Sequence, residues 1–217
     1  STYKPLSSKC AMLSAVTVPK KGGETALADQ RAAYEALDQA TQDRIANLSA
    51  YHSTEFSQAN DLGDFPPRET DSIYHGEAYL RPMVKMHPET GRPNLFVGRH
   101  AFGIPGLERS ESRALLKQLI DFVVSDESRV YTHPWTEGDT LLWDNRYVLH
   151  RAMPYDYTEP RVLIGTRIAG DPETELAYYP SDPAAQAGRE ALDTELSILR
   201  NETVDRRYGA TTAERVI

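Results

Sequence analysis

From Arg129 to Ile168 the chain runs through four short β-prone segments, Arg129–Thr132, Thr140–Asp144, Tyr147–Ala152 and Val162–Ile168, each closed by turn-forming residues. Segments of this length cannot bury a face alone, so they must pair into sheets stacked face to face. Earlier parts of the chain repeat the pattern. Residues 10–18 read as a strand ending at Pro19 and the turn Lys20-Lys21-Gly22-Gly23. Tyr51 and His52 fall on a further strand, and Tyr79–Met86 and Asn94–Gly98 read as a hairpin closed through His87–Gly91.

Helices decorate this β framework. Ala28–Leu37 and Thr41–Leu48 have helical character. Ser110 is the expected N-cap of a longer helix, on which Leu115, Leu116, Leu119, Ile120, Val123 and Val124 form one apolar stripe. Asp182 and Pro183 open a C-terminal helix carrying Leu192, Leu196 and Leu199 on one face. Residues 54–76 are polar and without period, which makes them a candidate lid loop. The pattern predicts a mainly β sandwich or jelly roll with packing helices.

Composition narrows the function classes. A formal net charge of −8 disfavours nonspecific binding to nucleic acid or to an anionic membrane surface. The longest apolar stretch, Leu115–Val124, is far too short to span a bilayer. One cysteine, Cys10, sits in an apolar run, excludes an internal disulfide and fits a cytoplasmic location.

Chemistry concentrates between Gly138 and Arg161. A turn launches an apolar strand, Asp144-Asn145 makes a polar corner, a second strand reaches His150, and Arg161 heads the next strand. A neutral imidazole is a good iron(II) ligand, and a guanidinium grips a carboxylate through two parallel hydrogen bonds. By spacing alone, a His near an Arg reads more often as a structural or surface pair.

Longer motifs carry more. Trp143-Asp144-Asn145-x4-His150 with Arg161 resembles the distal-histidine and arginine motif of the taurine/2,4-dichlorophenoxyacetate dioxygenase family. Val18-Pro19-x2-Gly22-Gly23-Glu24-Thr25 with the following Ala28–Tyr34 resembles that family's turn and helix. His87–Arg92, Gly98–Ala101 and Ile104–Leu107 are similar to further family segments, and the likeness runs from Ser1 to about Asp171, nearest the phenoxypropionate branch. The resemblance implies a double-stranded β-helix (jelly roll), incomplete at the N-terminus, over residues 1–177, with 178–217 as a helical extension.

It also implies an Fe(II)/2-oxoglutarate-dependent dioxygenase. Such an enzyme uses O2 to hydroxylate a small carboxylate-bearing, aryloxyalkanoate-like substrate while 2-oxoglutarate becomes succinate and CO2. On this basis His150 is the third metal ligand, and Thr25 and Arg161 bind the distal carboxylate of 2-oxoglutarate. The family's first two ligands, His-x-Asp, fall directly before the segment resembling Ser1-Thr2-Tyr3, so the chain alone is expected to be inactive. Gly165 stands where sulfonate-binding relatives carry an arginine, which argues against taurine. Arg167 shares a strand face with Arg161 and is a candidate for the substrate carboxylate, a surface role being equally open. His52 and His100 flank the expected pocket as candidate substrate contacts, with a structural role preferred for each. His75, His87 and His133 receive no role. A homo-oligomer is expected, and the competing class is a metal-free jelly-roll binding or assembly protein.

Overall fold

In the computed structural model the described residues are 1–65, 78–178 and 181–213, with side chains to Thr203. His75, most of the candidate lid beyond Phe65, and the side chains of Asp205, Arg206 and Arg207 lie outside them. The first half of the chain contains β1 (Ser8–Thr17), β2 (Thr25–Asp29), α1 (Gln30–Ala36), α2 (Gln39–Ile45), β3 (Ser49–His52), α3 (Thr54–Leu62), β4 (Tyr79–Pro82), β5 (Val84–Met86) and β6 (Pro93–Leu95). The second half contains α4 (Arg109–Val124), β7 (Val130–His133), β8 (Thr140–Asp144), β9 (Val148–Ala152), β10 (Val162–Ala169), α5 (Pro172–Glu175), α6 (Pro183–Gln186) and α7 (Gly188–Ala213).

Two antiparallel three-stranded sheets, β10-β1-β8 and β7-β2-β9, take strands alternately from distant parts of the chain. The β5–β6 hairpin forms as expected, whereas β4 pairs with β3 rather than extending it. Directly paired residues share a sheet face, so the register sorts side chains. Ala28, Val130 and Leu149 face outward onto the α4 stripe of Leu115, Leu116, Leu119 and Val123, forming the main core. Thr25, Leu27, His133, His150 and Ala152 therefore face the other way, toward the opposite sheet. In that sheet Ala11, Trp143 and Arg167 share a face, and Trp143 meets His150 with ring centroids 5.1 Å apart. The two inner faces thus oppose each other.

Four elements differ from expectation. Ala28 and Asp29 close β2, and the Asp29 carboxylate caps α1 by accepting from Arg31 and Ala32. α4 starts at Arg109, with Glu108 rather than Ser110 at its N-cap. Residues 54–62 form a helix, capped by the Ser53 hydroxyl and ended by Gly63 at φ 63°. Phe56 and Ala59, three residues apart, supply its buried face against a second core cluster that includes Leu192, Leu196 and Leu199 of α7. The Asp182-Pro183 start yields the four-residue α6; the long helix follows at Gly188, where a Cβ would stand 2.8 Å from the Ala78 carbonyl oxygen.

Candidate active-site cleft

Antiparallel pairing of β2 with β9 sets His150 opposite Leu27 and Ala152 opposite Thr25. His150 consequently points between the sheets, into a cleft of about 530 Å³ that also receives His100 and Arg167. The His150 ring is exposed toward the cleft, yet the atoms around it desolvate it. That burial, with the positive charge of Arg167, lowers its pKa to about 4. Desolvation likewise brings His100 down to about 3. Both rings are therefore neutral near pH 7, the form in which an imidazole donates an electron pair to a metal.

The indole packed against His150 is itself held in place. Trp143 Nε1 donates to Asn145 Oδ1 at 2.8 Å, holding the ring against His150. Cations line the rim. Arg99 and Arg167 line the cleft, among the described residues no aspartate or glutamate does, and Arg99 is paired with Asp61 at 3.3 Å outside it. In a chain of net charge −8 this is a local reversal of sign.

Thr25 and Arg161 stand next to the cleft, beyond its Ala152 end, rather than among its lining residues. They are joined through the β1–β2 turn. Arg161 Nε donates to the Gly23 carbonyl at 2.9 Å, two residues before Thr25, and its guanidinium lies 5.7 Å from the Tyr155 ring centroid. Arg161 makes no ion pair among the described residues, so its terminal nitrogens remain available to an anion.

His52 takes the structural role preferred for it rather than that of a substrate contact. It is fully buried, its Nδ1 lies 2.9 Å from Thr2 Oγ1, and it does not reach the cleft. Burial pushes its pKa well below the usual value. His100 does reach the cleft, with Nδ1 2.8 Å from Ser57 Oγ and the ring edge-on to Tyr3.

Sequence reasoning missed two residues that shape the site. Arg81 is 1% exposed and donates to the carbonyls of Thr2, Lys4, Pro5 and Glu175, tying the segment that forms one cleft wall to β4 and α5. Desolvation lowers its pKa to about 10. Trp135 Nε1 donates to the Thr25 hydroxyl at 3.0 Å. No spacing rule points to Arg81, whereas Trp135 carries the weak signal of an aromatic two residues after a strand end.

Two opposed antiparallel sheets with helices packed outside, and an imidazole and arginines converging between them, define a jelly-roll small-molecule site. The profile of the taurine catabolism dioxygenase TauD/TfdA family matches residues 1–167, and the chain belongs to that family. An (S)-phenoxypropionate/alpha-ketoglutarate dioxygenase of Sphingobium herbicidovorans is 49% identical over 183 residues, covering 82% of this chain and 63% of the relative. An alpha-ketoglutarate-dependent 2,4-dichlorophenoxyacetate dioxygenase of Cupriavidus pinatubonensis is 36% identical, covering 75% of this chain and 56% of the relative. The crystal structure of AAD-2 in complex with Mn(II) and N-oxalylglycine superposes with a TM-score of 0.73 at 34% identity, covering 81% of this chain and 68% of that one. The chain thus spans 63% and 61% of the length of the two phenoxypropionate relatives.

Proposed function

We propose that this chain supplies the distal metal ligand and the cosubstrate grip of an iron(II)/2-oxoglutarate-dependent dioxygenase acting on a small, aryloxyalkanoate-like carboxylate. The observation that carries the reading is the cleft itself: a neutral imidazole and the arginines Arg99 and Arg167 among its described lining residues, in an otherwise acidic chain. Such a cleft favours anionic ligands and concentrates them. The activities named for the similar phenoxypropionate and dichlorophenoxyacetate dioxygenases support the substrate class.

His150 offers an unprotonated nitrogen toward the cleft. Among the described residues no group of three His, Cys, Asp or Glu could hold a metal; on this reading His150 would be one ligand of a set these residues do not complete. When bound, iron(II) would supply activation of O2. Arg161 offers its terminal nitrogens, and Thr25 its hydroxyl, to the distal carboxylate of 2-oxoglutarate. Arg167, on the inner face with Trp143, offers a second cation for the substrate carboxylate. A Cβ at Gly165 would stand 3.0 Å from Leu13 Cδ2, so the position that carries an arginine in sulfonate-binding relatives is crowded by an apolar side chain.

The test is succinate formation from 2-oxoglutarate under iron(II) and O2, using the protein with whatever residues its gene places before Ser1. The account expects turnover with an aryloxypropionate and background rates with an alkylsulfonate. Background rates with every small carboxylate tried would remove the reading.

A further inference from the structure

We propose that Trp135 is a positioning residue for the distal carboxylate of 2-oxoglutarate, acting through the Thr25 hydroxyl; the proposal rests on the cosubstrate reading given above. An indole nitrogen can donate but never accept. The 3.0 Å contact from Trp135 Nε1 therefore occupies an acceptor lone pair of Thr25 Oγ1 and steers the hydroxyl proton away from the indole. Thr25 is 3% exposed, and among the described residues its own O–H finds no acceptor. A buried hydroxyl proton without an acceptor is costly, and a carboxylate oxygen would relieve it.

The neighbouring donor is constrained in the same way. Gly23 O holds Arg161 Nε at 2.9 Å, so the terminal nitrogens form the free edge of the guanidinium. Two donors, Thr25 following the β1–β2 turn and Arg161 bonded to it, are thus each fixed by a second contact that leaves one direction open. The indole is itself held by His133, edge-on at 4.5 Å with an interplanar angle of 87°, and His133 is the register partner of Thr25 on β7. The indole N–H meets the Thr25 hydroxyl oxygen directly, so the effect of Trp135 is assigned to that hydroxyl's orientation.

The experiment is anaerobic calorimetric titration of the full gene product, with Mn(II) as the metal, comparing 2-oxoglutarate with 2-oxopentanoate, which lacks the distal carboxylate. Trp135→Phe keeps a ring and removes the N–H. It is expected to weaken 2-oxoglutarate about three- to tenfold, the scale of one lost hydrogen bond, and to leave 2-oxopentanoate unchanged. Thr25→Val is expected to produce a loss at least as large, and the double variant to bind no more weakly than Thr25→Val alone. Equal losses for both oxo acids overturn the proposal, as does unchanged 2-oxoglutarate affinity in Trp135→Phe while Arg161→Leu binds poorly. Should Trp135→Phe not fold, unchanged affinity in Thr25→Val overturns it instead. If Arg161→Leu also binds normally, the cosubstrate reading itself falls.

Discussion

At Gly22 and Gly23 the backbone takes φ values of 79° and 73°, a region that side-chain-bearing residues rarely adopt. A Cβ on Gly22 would lie 2.5 Å from the Pro154 carbonyl oxygen, and one on Gly23 3.0 Å from Arg161 Nε. The pair lets the β1–β2 turn close against the loop that delivers Arg161. Gly23→Ala should therefore destabilise the fold by about 1–2 kcal/mol, read as a lower urea midpoint. An unchanged midpoint would show that the turn does not need this conformation. His150, Arg161 and Thr25 could be singled out as candidates because each stands in a motif with neighbours of fixed chemistry. Arg81 could not be, because its acceptors at Thr2, Lys4 and Pro5 are 79, 77 and 76 positions away, and the partner that fixes His52 in its preferred structural role, Thr2, is likewise 50 positions away.

Elements show the same division between local and long-range information. The α4 stripe was visible from periodicity because its partners, the outward residues of β2, β7 and β9, demand a broad apolar face. α3 was read as loop because its buried side is narrow, centred on Phe56 and Ala59, while Glu55 and Ser57 are buried by tertiary contacts. α7 joins that same cluster: Leu192, Leu196 and Leu199 pack with Tyr51, Leu80 and Phe102 from the body of the fold. Leu196 is 1% exposed, so Leu196→Ala should cost about 2–5 kcal/mol. Because the cluster is shared, urea unfolding followed by far-UV and near-UV circular dichroism should remain one transition. A separate early transition of the helix would contradict this packing.

On the scale of the whole molecule, two sheets built from interleaved strands turn an acidic chain's arginines toward one cleft. Short strands and turns made the mainly β class readable, and the family motifs made the jelly roll and its inward-facing histidine readable. The strand order and the β3–β4 pairing depend on contacts that sequence spacing does not encode. Arg161, held beside the cleft through the Gly23 carbonyl, carries the strongest prediction. With Arg161→Leu in the full gene product, 2-oxoglutarate should bind at least about tenfold more weakly, since losing a charge-assisted pair to a desolvated carboxylate costs about 2–5 kcal/mol. An affinity equal to that of the parent protein would contradict the account at its centre.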